Sequence, residues 1–132
     1  MKINRFEDLQ CWQEARKLTQ MVYAATNNRR FSQDYRLTSK IRASAASAMG
    51  NCAKGFVRRS NKEFTQYLCI AMSSAAEVKS HLCVALDQNY IDSLLFKQTY
   101  HQADKTGRVI SGMIHYLRTT SSNPTKQARQ TK

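Results

Sequence analysis

Apolar residues recur every three or four positions in four stretches of the chain, which is the spacing of one buried face of an α-helix. The first stretch carries Leu9, Trp12, Ala15, Leu18 and Val22 in this spacing. The fourth includes Leu94, Leu95, Ile110, Met113, Ile114 and Leu117, and its middle, residues 101–108, has the weakest apolar pattern. The pattern predicts helices at residues 8–27, 33–54, 61–87 and 93–118.

Polar residues that commonly cap helices precede each stretch. The predicted N-caps are Asp8, Ser32, Ser60 and Asp92. Ser60 is followed three residues later by Glu63, which is the spacing of a capping box. Gly55 is predicted to end the second helix in the left-handed conformation.

The length and turn residues of the chain favour a single helical domain. The chain has 132 residues with only one proline and four glycines, which leaves few turns for a β-sandwich. Amphipathic helices joined by short connections favour antiparallel neighbours. We therefore predict an all-α fold, an antiparallel up-down-up-down four-helix bundle over residues 1–120. Residues 121–132 are polar and basic and are predicted to form a disordered tail.

The distribution of charged residues and cysteines bears on the compartment. Charged residues interrupt the first twenty positions, so no signal-peptide core is visible. The longest uncharged stretch, residues 64–76, is shorter than the roughly 18–20 residues that span a bilayer. The four cysteines include no Cys-x-x-Cys pair and are expected to be reduced thiols in the core or at its boundary. We expect a cytoplasmic protein with no membrane partner.

Positive charge is concentrated around the second helix. The whole chain has 21 Lys and Arg against 9 Asp and Glu, a net charge of +12. Residues 29–59 hold eight basic residues and one acid, Asp34. At 100° per residue, Arg36, Lys40 and Lys54 share one flank of the helix with the small residues Ala43 and Ser47. Such a row can follow a phosphate backbone.

The predicted nucleic-acid-binding residues are the members of this row and the basic residues at its two ends. They are Arg29, Arg30, Arg36, Lys40, Lys54, Arg58 and Arg59. Two alternatives stay open, since helices commonly place basic residues in solvent and an acidic protein could also bind such a surface. Ordinary surfaces, however, intersperse both signs of charge.

Residue patterns that carry catalysis are missing from the sequence. There is no glycine-rich phosphate loop and no His-Glu-x-x-His, and the three histidines lack the spacing of metal ligands. Glu77 and His81, four residues apart, are the nearest approach to a ligand pair. We predict no enzymatic activity, no metal and no cofactor.

Several short motifs together resemble the bacterial four helix bundle protein family, whose founding members are encoded in intervening sequences of 23S ribosomal RNA. The motifs, in collinear order over residues 5–118, are Phe6-Glu7-Asp8-Leu9, Trp12-Gln13-Glu14-Ala15, Asn51-x-Ala53-x-Gly55-Phe56, Arg59-Ser60-x-x-Glu63-Phe64, Asn89-Tyr90-Ile91 and Gly107-Arg108-x-x-x-Gly112-Met113-Ile114. The resemblance implies a small bundle that assembles into a ring-like homopentamer. A related branch, the accessory variability determinant of diversity-generating retroelements, is similar in fold and basic charge and partners a reverse transcriptase and nucleic acid.

One departure from the family pattern increases the positive charge. Many relatives carry an acid in Ala-Glu-Gly-Phe, where this chain has Lys54. The resemblance together with the charge indicates a non-enzymatic basic oligomer that binds RNA or RNA-DNA hybrid, as the accessory subunit of a retroelement reverse transcriptase. The alternative is a structural adaptor of intervening-sequence type that holds protein partners without a nucleic-acid function.

Overall fold

The computed structural model describes residues 3–120, which fold into helices throughout. A 3₁₀ turn at Phe6–Asp8 precedes α1 (Gln10–Ala25), α2 (Arg29–Gln33), α3 (Tyr35–Phe56), α4 (Asn61–Asp87) and α5 (Ser93–Thr119). These residues contain no strand, so the all-α prediction is confirmed. The tail predicted at residues 121–132 lies outside the described residues.

The four long helices pack as a bundle. Each contacts two others: α3 lies against α1 and α4, and α5 lies against α1 and α4. This is the arrangement that the apolar stripes predict, because each stripe needs a partner to cover it. The antiparallel order of the four helices stays a prediction from their short connections.

The predicted starts of the first two helices were wrong. Asp8 belongs to the 3₁₀ turn, and α1 begins after Leu9, which makes no side-chain cap. Ser32 lies inside the additional helix α2, and Asp34 caps α3 instead. The physical reason is Asn28, which caps α2 and makes residues 29–33 a separate helical turn.

The other two predicted caps are confirmed. Ser60 Oγ accepts from Glu63 N at 3.1 Å, and Asp92 Oδ1 accepts from Leu95 N at 2.8 Å. Gly55 does not adopt the predicted left-handed conformation and lies within α3. A Cβ at this position would lie 2.8 Å from Phe64 Cδ1, so glycine is needed for the close approach of α3 and α4.

The core consists of two apolar clusters. One includes Leu18, Val22, Phe31, Ile41 and Leu82, and the other includes Trp12, Phe56, Phe64, Leu68 and Ile114. Leu94, expected in the fourth stripe, is 65% exposed because it lies on the outer face of α5, whereas its neighbour Leu95 packs against the core.

The middle of α5, where the apolar pattern is weakest, makes a buried polar contact with α1. Gln102 Nε2 donates to Glu14 Oε1 at 2.9 Å and to Glu14 O at 3.0 Å. Thr106 Oγ1 also lies 3.2 Å from Glu14 O, and Lys105 Nζ lies 3.7 Å from Glu14 Oε2. The helix therefore continues through residues 101–108, and its buried polar side chains Gln102 and Thr106 are satisfied by Glu14 of α1.

Two other expectations can be compared with the structure. All four cysteines are free, with Cys11 and Cys52 buried and Cys69 half-buried, but Cys83 is exposed and not at the core boundary.

Among the described residues, α4 is long and apolar enough to cross a membrane by length and composition. Its buried stripe, however, is covered by α3 and α5, as in the core helix of a bundle.

Candidate nucleic-acid interface

The central residues of the predicted interface lie on the outer face of α3. Arg36 and Lys40 are one helical turn apart, and Lys54 is in the last turn. All three side chains are exposed. At 1.5 Å per residue, Lys54 lies roughly 21 Å along the axis from Lys40.

One small residue expected in this row faces a neighbouring helix. Ser47 Oγ lies 2.8 Å from Ser74 Oγ of α4, and Asn51 Nδ2 donates to Ser47 O at 2.8 Å. Ser47 is therefore half-buried between α3 and α4, whereas Ala43 is exposed. The open part of the row runs over Arg36, Lys40 and Ala43, with Lys54 farther along the same helix.

Arg29 and Arg30 lie at the N-terminal end of α3, on the short helix α2. Arg30 Nη2 lies 3.4 Å from Gln88 O, in the connection between α4 and α5. Asn28 reaches the same connection, where its Nδ2 donates to Tyr90 O at 2.9 Å. These contacts hold α2 against the end of the bundle and leave both arginines exposed.

Arg58 and Arg59 follow α3 and lie at the opposite end of the helix. The guanidinium of Arg58 lies 4.6 Å from the centre of the Tyr67 ring, and Nη2 donates to Tyr67 Oη at 2.7 Å. Because α3 is 22 residues long, roughly 33 Å separate its two ends. The seven basic residues therefore form an extended row along α3 and not a single patch.

The row lacks acidic partners. The ion pairs within residues 3–120 join Arg5 to Glu7, Lys79 and Arg108 to Asp104, and Lys105 to Glu14. None of the seven candidate residues takes part in them. Asp34, the one acid between residues 29 and 59, accepts from Leu37 N and from Tyr90 Oη. Its carboxylate caps a helix and forms no ion pair with the neighbouring arginines.

Two pKa shifts follow from these contacts. The hydrogen bond to Asp34 raises the pKa of Tyr90. The hydrogen bond from Lys79 lowers the pKa of Asp104, and Arg108 adds to the effect. Asp34 thus holds the Tyr90 hydroxyl beside the row, and Asp104 holds Lys79 and Arg108 on the side of the bundle formed by α4 and α5.

A groove next to the row was missed by the sequence analysis. It lies between α1 and α3 and has a volume of about 430 Å³, with a lining of Tyr23, Tyr35, Thr38, Ser39, Arg42 and Ala43. Arg42 is half-buried, since its Nε donates to Thr26 Oγ1 at 2.8 Å and its guanidinium lies 4.5 Å from the centre of the Tyr23 ring. The available signal was the pair of tyrosines outside the apolar stripes, next to arginine in a basic segment.

No group of three or more His, Cys, Asp and Glu side chains that could hold a metal ion occurs between residues 3 and 120. Glu77, singled out in the sequence with His81, is exposed, and His81 is half-buried.

Comparisons with known proteins identify the family. The family model described as 23S rRNA-intervening sequence protein matches residues 7–112, most of the chain. No curated protein matches the sequence. The fold is similar to a crystal structure from Bacteroides thetaiotaomicron VPI-5482, described as a protein with unknown function from the S23 ribosomal protein family. That similarity has a TM-score of 0.73 at 15% identity and covers 80% of this chain and 95% of the other. The chain thus belongs to the 23S rRNA-intervening sequence protein family.

Proposed function

We propose that this protein binds RNA or RNA-DNA hybrid through the basic row along α3 and has no catalytic role. The observation that supports the proposal is the row of seven exposed basic residues, none of which pairs with an acid within residues 3–120. A protein that neutralises phosphates with lysine and arginine releases condensed counterions, which drives binding whatever the base sequence.

The length of the row suits a polymeric anion better than a small one. The basic residues at its two ends are separated by the whole of α3, roughly 33 Å. One small phosphate ligand could contact only one part of this row. A nucleic-acid backbone could contact the arginines of α2, the middle of α3 and the arginines after α3 in succession.

We also propose that the protein acts as a homo-oligomer, with five subunits by family resemblance. The support from the structure is a set of exposed apolar side chains on α4, with Ile70 and Val84 on one flank and Met72 on another. Next to Met72, small residues line a groove between α4 and α5, among them Ala76, Gly107 and Ser111. Several copies would bring several basic rows together, so each row could bind weakly while the assembly binds tightly. Sedimentation that gives a monomer mass at micromolar concentrations would contradict this.

Binding by matched charge variants tests the proposed interface. The first variant changes Arg36, Lys40 and Lys54 to glutamine, and the control changes Arg16, Lys17 and Lys97, which are exposed and lie outside the row, in the same way. Both variants lose one arginine and two lysines, so their net charges are equal. We expect the first to lose affinity for RNA and for an RNA-DNA hybrid, while the control stays close to the wild-type protein.

The rival functions predict other outcomes. An adaptor for protein partners predicts that neither variant changes the binding of nucleic acid, because the wild-type protein binds little. Binding by the basic residues near the end of the chain predicts a loss only when Lys126, Arg129 and Lys132 are changed. Either result would reject the row on α3 as the interface.

The neighbouring genes discriminate between the proposal and its rival. A reverse-transcriptase gene with variable repeats beside this gene would support the role of an accessory subunit. A position inside a ribosomal RNA gene would support the rival, a structural adaptor of intervening-sequence type.

A further inference from the structure

The groove between α1 and α3 presents two tyrosine rings to solvent. Tyr35, the first residue of α3, is 81% exposed, and Tyr23 of α1 is 46% exposed. Large aromatic side chains usually bury most of their surface, so a nearly free ring is a conspicuous surface feature. Both rings line the same groove.

The ring of Tyr23 is held in place by a cation. Arg42 lies over it at 4.5 Å, and the Nε of Arg42 is fixed to Thr26 Oγ1 at 2.8 Å. Since Thr26 is fully buried, this arginine is anchored to the core and the ring is oriented by it. The groove thus has an ordered wall at Tyr23 and an open aromatic residue at Tyr35.

The basic row runs along the edge of this groove. Arg36 follows Tyr35 by one position and Lys40 follows Ser39 by one position, which places each about 100° farther around α3. A phosphate held by Arg36 or Lys40 would therefore lie beside the groove and not inside it. Aromatic rings next to a cationic track are the combination by which proteins bind single-stranded nucleic acids.

We infer that the groove is a binding site for unpaired bases, so that the ligand of the basic row is single-stranded RNA or an unpaired segment of a folded RNA. A base would stack on Tyr35 in the groove, while the flanking phosphates contact Arg36 and Lys40. The hydroxyl of Ser39 lies in the lining and could bond to a base edge. The faces of bases inside a duplex are covered by their neighbours, so a duplex offers only its phosphates to this surface.

This inference rests on the proposed function and can fail without it. The test uses the full-length protein and two probes, a single-stranded RNA and a blunt RNA duplex of the same length. We expect Tyr35→Ala to weaken binding of the single strand by about fivefold or more, as stacking on an aromatic ring predicts. The affinity for the duplex should not change, and Tyr35→Phe should bind like the wild-type protein because it keeps the ring.

Two controls separate stacking from other effects. Tyr116→Ala removes another exposed tyrosine, on α5 and outside the groove, and should leave both affinities unchanged. A single-stranded probe of abasic nucleotides keeps the phosphates and lacks the bases. It should bind the wild-type protein and Tyr35→Ala equally.

Each other outcome has one meaning. If Tyr35→Ala binds the single strand as the wild-type protein does, or if it loses the abasic probe equally, the groove is not a base-binding site. In that case, if the wild-type protein binds both the single strand and the duplex, the proposal that the basic row binds phosphates is retained. If the wild-type protein binds none of the probes, both the groove and the proposed function are rejected.

Discussion

Tyr90 Oη donates a hydrogen bond of 2.9 Å to Asp34 Oδ2, and the other oxygen of the same carboxylate caps α3 through Leu37 N at 3.0 Å. The contact joins the connection between α4 and α5 to the start of α3. It also engages the one acid between residues 29 and 59. Arg29 and Arg30 form no ion pair with this carboxylate, so the packing of the bundle leaves both guanidinium groups open to an external anion.

Replacing Asp34 tests how much this carboxylate stabilises the fold. Asp34→Ala should lower the free energy of unfolding by about 1 kcal/mol for the lost cap, and by more because Tyr90 also loses its acceptor. Asp92→Ala is the matched control, since Asp92 caps α5 through Leu95 N in the same way. Urea unfolding measures both. Equal losses in the two variants would show that the bond to Tyr90 contributes nothing.

The raised pKa of Tyr90 predicts a dependence of stability on alkaline pH. The hydrogen bond to Asp34 favours the neutral phenol in the folded state, so the stabilisation is fully present below the ordinary pKa of 10.0. It is lost as pH rises through the higher folded value. The difference in unfolding free energy between the wild-type protein and Tyr90→Phe should be constant up to about pH 9 and shrink above pH 10. A difference that stays constant to pH 11 would contradict the assignment.

Two glycines of α3 should respond in opposite directions to alanine. A Cβ at Gly55 would meet Phe64 Cδ1 at 2.8 Å and Phe64 O at 3.2 Å, whereas one at Gly50 meets nothing within 4 Å. Gly55→Ala should destabilise the protein by about 1–3 kcal/mol through overpacking. Gly50→Ala should stabilise it by roughly 0.5–1 kcal/mol, because alanine favours the helix. Thermal unfolding of both variants checks the pair, and a stabilising Gly55→Ala would refute the close approach of α3 and α4.

The cysteines should differ in their rates of reaction with a thiol reagent. Cys83 is exposed and should react first, and Cys69 should be slower. The hydrogen bond with Cys11 and burial raise the pKa of the Cys52 thiol, so its reactive thiolate is scarce. Cys11 and Cys52 should react only when the protein unfolds. Cys83→Ser should remove the fast phase, and a fast phase that persists would contradict this order.

The extents of the long helices could be predicted from the sequence because they depend on local spacing. The caps Ser60 and Asp92 are local too, since each bonds to an amide three residues on. The helix α2 was missed although its cap is equally local, since Asn28 accepts from Phe31 N three residues on. What the local pattern does not contain is the second bond of Asn28, from Nδ2 to Tyr90 O, 62 residues away in the sequence.

In the candidate site, too, some features follow from local spacing and others depend on tertiary packing. The exposure of Arg36, Lys40 and Lys54 follows from helical periodicity, once one face of α3 is known to be buried. The contact of Ser47 with Ser74 and the groove at Tyr35 depend on how α4 and α1 pack beside α3. A pattern along one helix carries no information about those neighbours.

The salt dependence of binding tests the central claim, that the row on α3 binds a nucleic-acid backbone, most directly. The logarithm of the affinity for a single-stranded RNA should fall linearly with the logarithm of salt concentration, by roughly 0.7 for each phosphate contact. In the variant that changes Arg36, Lys40 and Lys54 to glutamine, the slope should be shallower by about 2. The control that changes Arg16, Lys17 and Lys97 should keep the wild-type slope. A wild-type affinity that does not depend on salt, or equal slopes in the two variants, would contradict the account.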